Sequence, residues 1–464
     1  MALIAITDCW QPPLTRRGDP LGFLDLAHKL SEHIIPGLSN RTRDCRWLTL
    51  LGYSLLAARR AAPRELPDDR LAFYRWLHPL ERLWVWQCAQ LLGDAEQKER
   101  RLPGIRRARN ARSLATYMQY SEDQVASYRF TGPYGSYRLL LRDPRLTDEG
   151  DGWAVTEPFE ELCRDVLAVP VTPVCQLARI RPRAGTEPHS YWLRNDRLGL
   201  LGMESGAKAL RDRHLLPVGR DLRLVRGLVP TPSARERAFY KSLLFGDDLA
   251  GRQRRATLKA LAAGRTLSTS ALRGASIPNT DRRLIQLLIS FDEWSASLSE
   301  CLHRAAIIAN LCRPTVAELI GELEAVGIDF ASLRKKSATF AQASSNTTKA
   351  GLGLCAVPAF VAASRLASSL QRAKTSVRLL EQLVQHHQAA GGGKRWLKLV
   401  VEGATRIVAT LSIDPDSAAP AYGFRQMALA RLAVQCGMPN TAALVKKPQA
   451  RTIGDDDDEE EGDA

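Results

Sequence analysis

No apolar run in this chain approaches the roughly 18–20 residues that a membrane-crossing helix needs, so the sequence predicts no bilayer-spanning segment. Clustered metal ligands are missing as well. The nine cysteines lie scattered at positions 9, 45, 88, 163, 175, 301, 312, 355 and 436, none in a CxxC pair. A tetrahedral zinc must be clasped by short loops that carry paired ligands, so these thiols read as reduced core residues. HxxxH, HExxH and GxSxG do not occur, and with them go the usual zinc-protease and nucleophile-elbow signatures.

Phosphate-cradling loops fail for equally local reasons. GGGK (391–394) has Gln388 and Arg395 where a P-loop requires Gly and Ser/Thr, and no strand pattern precedes it. GLGLCA (351–356) matches GxGxxA, but polar SSNTTK stands where a Rossmann strand should be. His386 and His387 are neighbours on a predicted helix, about 100° apart, and cannot share one metal. Asp94, Glu96 and Lys98 spell the DxExK of many nucleases but enter a charged run rather than end a buried strand. The sequence therefore predicts no cofactor, no metal and no enzymatic activity of the chain's own.

Acidic residues are also in short supply, except in one place. The chain carries 65 basic and 50 acidic residues, a net charge of +15, and eight of the acids fall within DDDDEEEGD (455–463). Without them the remainder holds 65 basic against 42 acidic groups, or +23. A surface this cationic attracts polyanions, of which nucleic acid is the commonest inside cells. The acidic stretch has nothing apolar to bury and reads as disordered. It either solubilises the chain or folds back on the basic body to compete with nucleic acid. The first residues, MALIAITDCWQPPLTRR, place the apolar patch before the basic residues, the reverse of a secretory signal, so a cytoplasmic location is expected.

Two basic stretches face little opposing charge. QKERRLPGIRRARNAR (97–112) offers Arg106, Arg107 and Arg109, and GRQRRATLKALAAGRTLSTSALRGASIPNTDRR (251–283) offers Arg252, Arg254 and Arg255. A third, SRLASSLQRAKTSVRLLEQLVQHHQAA (364–390), reads as one long helix with a Leu366, Leu370, Val377, Leu380 and Val384 stripe.

Helical periodicity dominates elsewhere. Phe23, Leu26, Ala27, Leu30 and Ile34 form one apolar face, ended by Pro36–Gly37. Ser39 or Asn40 is placed to cap the following helix through Trp47, Leu51 and Leu55. Three arginines in NRTRDCR (40–46) oppose the helix dipole there, and either decorate the surface or answer a phosphate or an acidic partner face. Trp76, Trp84 and Trp86 are expected core anchors. Downstream, Thr315 and Glu318 form a capping box for TVAELIGELEAV, and Gly327 turns the chain into the next helix.

The segment GPYGSYRLLLRD (132–143) predicts a two-turn helix stopped at Asp143–Pro144. GDG (150–152) is a hairpin signal, WAVT a short strand, and Thr156 a cap for EPFEELCRDVL. Helix, hairpin, helix is the order of a winged-helix module, in which Arg138, Arg142 and Arg145 would reach phosphates.

The run DPLG…IIPGLSNRTRDCRWLTLLGYSLL followed by FTGPYGSYRLLL…DGWAVT resembles a loosely defined group of uncharacterised bacterial proteins from phage-defence or mobile-element neighbourhoods. These proteins pair a helical N-terminal region with a winged-helix-like segment. The match covers residues 19–60 and 130–167, and it implies a non-catalytic component of a multi-protein defence system.

The expected architecture is mainly α, with helical region 1–120, winged-helix-like segment 121–170 and a mixed basic connector 171–283. A C-terminal helical bundle at 284–450 and the acidic tail 451–464 complete it. The expected function is binding of nucleic acid, duplex DNA ahead of RNA, by arginine contacts to phosphates, within a complex of other protein subunits. The alternative is a scaffold that holds an ATPase or nuclease partner.

Overall fold

Asp19 gathers backbone donors: its carboxylate accepts the N–H groups of Gly22 (2.8 Å) and Leu24 (2.8 Å). It thereby fixes the first turn of α1 (Leu24–Ile34), whose Leu26, Ala27, Leu30 and Ile34 are all buried, the face that the periodicity predicts. The computed structural model describes residues 19–42, 44–63, 70–91, 105–148, 153–167, 186–193, 234–390, 396–402, 404–410, 413, 419–445 and 452–453.

The chain is mainly helical. After α1 come α2 (Arg46–Ala61), α3 (Arg70–Leu91), α4 (Ile105–Asn110), α5 (Leu114–Tyr117), α6 (Glu122–Thr131), α7 (Pro133–Leu141), α8 (Glu157–Leu167) and α9 (Pro188–Trp192). Then follow α10 (Ala234–Phe245), α11 (Leu249–Gly264), α12 (Arg282–Leu311), α13 (Val316–Ala325), α14 (Phe330–Lys349), α15 (Pro358–Arg372) and α16 (Ser376–Ala390). The end of the chain holds α17 (Gln426–Gln435) and α18 (Ala442–Val445), with β1 (Leu397–Glu402), β2 (Ala404–Ala409), β3 (Ala421–Tyr422) and β4 (Thr452–Ile453).

Two units divide these elements, and each is discontinuous in sequence. One comprises Met1–Ile34, Leu267–Phe424 and Pro448–Asp456; the other comprises Ile35–Thr266, Arg425–Lys447 and Asp457–Ala464. In the first, the 30-residue α12 is the central element. Its Trp294 stacks on Phe340 of α14 at 4.5 Å and on Phe23 at 5.6 Å, and its indole N–H donates to the Ser337 hydroxyl (3.0 Å). The Thr315–Glu318 capping box that the sequence predicts starts α13, and Gly327 takes φ +91° after it. Antiparallel β1 and β2 pair from Leu397↔Ala409 to Glu402↔Ala404, and β3 pairs in parallel with β4.

One expected element divides. The long helix predicted over 364–390 breaks at Ala373–Thr375 into α15 and α16, where the Thr375 hydroxyl accepts the Arg378 N–H (3.2 Å). The break lets Leu366 and Leu370 of one piece and Leu380 and Val384 of the other all bury, while Val377 stays exposed.

In the second unit, α2 packs on α3, α7 and α8. Gly52 makes the last of these contacts possible, since a Cβ there would meet the Phe159 ring at 2.5 Å. Trp76 and Trp84 are buried as expected, and Trp86 lies against Tyr117 (5.3 Å). The cap of α2 differs from expectation. Cys45 occupies the N-cap without a side-chain capping hydrogen bond, while Ser39 bonds Thr42 and the Asn40 amide oxygen accepts the Arg425 N–H (3.0 Å).

Candidate nucleic-acid interface

The geometry of GPYGSYRLLLRD begins with a capping box, Ser121 with Gln124, that starts α6. This helix stops at Gly132, and Pro133 opens α7 immediately, with its fixed φ suited to a first helical turn. The corner is tight enough to specify both glycines. A Cβ on Gly135 would lie 2.2 Å from the Phe130 carbonyl oxygen, and one on Gly132 would meet the Tyr128 ring at 2.5 Å. Arg41 of NRTRDCR donates to the Thr131 carbonyl (3.1 Å), rather than facing a phosphate or an acidic side chain alone. The corner is a packed joint rather than a hinge.

Beneath it lies a buried polar cluster. The Glu81 carboxylate, fully enclosed, accepts the Tyr74 hydroxyl (2.7 Å) and the Tyr134 N–H (2.5 Å), so it serves as an internal cap for α7. Burial pushes its carboxyl up to about 8, against the pull of those two hydrogen bonds and of Arg82. The Arg82 guanidinium is held over the rings of Tyr117 (3.5 Å) and Tyr120 (4.0 Å). His78 sits among Tyr120, Tyr128 and His189, with ring centroids 5.1–5.5 Å away. Burial, then the charge of Arg82, drives it well below the usual imidazole range. Neither ring nitrogen of His78 meets a hydrogen-bond partner among the described residues.

Above the joint, the same geometry presents an exposed aromatic. Phe130 is 51% exposed, although it belongs to a helix whose apolar face is Val125 and Tyr128. The guanidinium carbons of Arg129 and Arg138 lie 4.7 Å and 5.3 Å from its ring centre, within cation–π range. Leu139 and Arg142 are exposed beside them. Burial raises the Tyr134 hydroxyl above its ordinary range, and the charges of Arg142, Arg138 and Arg129 all act to lower it. The charges of three arginines therefore all reach the Tyr134 hydroxyl. From Arg138 to Arg142 is one helical turn, which places both on the same side.

Beyond α7, Asp148 N–H donates to the Ala154 carbonyl (2.9 Å) and Thr156 N–H to that of Leu146 (3.0 Å), around a Thr147↔Val155 bridge. The Thr156 hydroxyl donates to the Arg145 carbonyl (2.8 Å).

The nine arginines singled out from sequence fall into distinct groups. Arg138 stands at the Phe130 ring, and Arg142 is exposed one helical turn beyond it. Arg145, Arg254 and Arg255 cap a helix end. An α-helix leaves its last four carbonyls without internal donors, and those of α10 are met in turn. Arg145 serves Ser242 (3.0 Å) and Leu243 (3.1 Å), Arg254 serves Leu244 (3.1 Å), and Arg255 serves Phe245 (2.8 Å). Arg145 also grips Asp143 with two nitrogens (2.8 and 2.6 Å) and Asp248 (3.1 Å), and Arg254 reaches the Pro36 carbonyl (2.9 Å). Arg252, one residue outside this capping set, is exposed. Arg107 covers the Tyr120 ring at 3.8 Å and donates to the Gln119 carbonyl (2.6 Å), and Arg109 is exposed. Arg106 lies on α4, with its side chain outside the described residues, as are Asp94–Lys98, GGGK and the acidic stretch.

Sequence reasoning passed over Phe130, Arg129 and the Glu81–His78 cluster. Phe130 was detectable as an aromatic residue off the apolar face of its helix. No family model, curated protein or solved structure matches this chain. Among the described residues, no three His, Cys, Asp or Glu side chains come together as metal ligands, and no helix is long and apolar enough to cross a membrane.

Proposed function

We propose that the chain binds nucleic acid at the α6–α7 corner, with Arg129, Arg138 and Arg142 on phosphates and Phe130 against a base. The observation that carries this reading is the half-exposed Phe130 ring flanked by two guanidiniums. Cationic side chains around an aromatic platform are the combination that single strands use, because every base has a face to stack and every backbone a charge to neutralise. Helix α7, the Thr147–Val155 bridge and α8 follow in winged-helix order. However, the first turn of α7 is held by Glu81 and packed on the Phe130 carbonyl, which leaves Arg138, Leu139 and Arg142 of its second half to meet a ligand. That geometry favours an unpaired or locally opened strand over a helix laid along the major groove.

The test compares a 12-nucleotide single strand with the same sequence as duplex, by fluorescence anisotropy on the intact chain. The single strand is expected to bind more tightly. Phe130→Ala should weaken it about tenfold, as loss of one stacked base does, while Phe130→Trp retains binding. Equal affinity for both forms, with no effect of Phe130→Ala, would remove the base-stacking role.

A further inference from the structure

The first unit carries a surface of different chemistry. Two adjoining hollows, of about 450 and 610 Å³, run along α12 and α14 and share Arg282, Gln286 and Thr339. The helices are antiparallel, since Trp294 meets Ser337 and Phe340 while Ser297, further along α12, accepts a hydrogen bond from Lys336 (2.6 Å). That order sets Asn346 and Gln342 towards the Arg282–Gln286 end and Thr339 towards Glu293. The stretch of α12 from Arg282 to Glu293 rises about 17 Å, the length of about five residues of extended peptide.

The polar spacing fits such a chain. Arg282 and Gln286 on α12, and Gln342 and Asn346 on α14, are each four residues apart. This places them about 6 Å apart along the helix axes, near the ~6.6 Å two-residue repeat of an extended backbone. Gln342 and Asn346 are exposed and hydrogen-bonded to each other (3.0 Å). Each primary amide offers donors and an acceptor. A peptide backbone matches both, whereas a phosphodiester presents acceptors alone and would leave the amide oxygens unmet. No aromatic side chain lines either hollow, in contrast to the Phe130 surface.

Charge sets the sign of the occupant. Arg273 lines the first hollow in an exposed pair with Glu293 (3.5 Å), weak enough to exchange, and Arg283 lines the second, exposed but held by Asp281 through two hydrogen bonds (3.1 and 3.0 Å). Arg282 is exposed and has no carboxylate partner among the described residues. We propose that this groove is a docking site for an extended acidic peptide of a protein partner, with its backbone on the amides and its carboxylates on Arg282, Arg283 and Arg273. This inference does not rest on the nucleic-acid reading.

A fluorescent peptide of the chain's own acidic sequence, GDDDDEEEGD, is a suitable probe. It is titrated by anisotropy into the intact chain and into a variant with the carboxylates of residues 455–463 changed to amides, which removes competition from the chain's own acids. Binding to the variant is expected, weakened about tenfold by Arg282→Glu with Arg283→Glu. Gln342→Ala with Asn346→Ala should weaken it about fivefold at unchanged net charge, and Arg138→Glu with Arg142→Glu should leave it within twofold. Absence of binding, or binding indifferent to all four groove substitutions, overturns the proposal. An oligothymidine that displaces the peptide and loses affinity through the same substitutions assigns the groove to nucleic acid instead, and overturns it equally.

Discussion

His387 and His78 are both enclosed histidines on helices, one in each unit, and their ring atoms meet different surroundings. The Nε2 atom of His387 accepts the Trp396 N–H (2.7 Å), which places the proton on Nδ1 to be donated to the Pro20 carbonyl (2.6 Å). One neutral tautomer satisfies the whole ring. His78 has rings around it on several sides but no hydrogen-bond partner at either nitrogen among the described residues. A polar residue that joins three chain segments specifies a fold; one that only fills space among aromatic rings does not. Burial alone therefore says little about what a histidine contributes, and the partners of its ring atoms decide.

The largest effect expected from this contrast is at His387. His387→Leu strands a buried N–H and a buried carbonyl, and should cost about 3 kcal/mol, seen as a lower urea midpoint. Next comes Glu81. Its folded pKa, near 8, stands above the ordinary 4.5, so its contribution to stability is complete below pH 4.5 and is lost as pH rises through 8. His78 acts in the opposite sense, its lowered pKa costing stability only as pH falls below 6.5. Between pH 6.5 and 8 the Glu81 slope stands apart from it, and stability should fall by roughly 1.4 kcal/mol per pH unit. Glu81→Gln should flatten that fall, and a slope unchanged in the variant would show that Glu81 is not its source. The smallest effect is at His78 itself. His78→Leu, of similar volume, should change stability by less than about 1 kcal/mol; a loss as large as that at His387 would break the comparison.

Much of the scaffold was legible because it depends on local chemistry. The apolar face of α1, the Thr315–Glu318 box and the turn at Gly327 follow from spacing and backbone preference. The roles of the arginines were not legible in the same way. Arg145, Arg254 and Arg255 read as a phosphate path because sequence shows charge but not the helix end that needs donors, and that end, at Ser242–Phe245, is supplied by contacts across about a hundred residues in the case of Arg145. The break at Ala373–Thr375 was hidden for a related reason, since two successive short helices can carry the apolar spacing of one long helix. Phe130 was visible as an apolar residue on the wrong face, but its exposure follows from the glycine-tight joint beside it.

The two surfaces extend the contrast. An aromatic ring between arginines suits stacked bases and phosphates, while amides in a row suit a peptide backbone. The central claim is that the Phe130 corner neutralises phosphates, and the salt dependence of single-strand binding tests it most directly. Affinity measured from 50 to 200 mM salt should fall steeply in the intact chain. With Arg138→Glu and Arg142→Glu the slope of log affinity against log salt should be shallower by about 1.4, about 0.7 per lost phosphate contact on a single strand. A slope unchanged by these substitutions, with affinity intact, would place the nucleic-acid contact elsewhere and contradict the account.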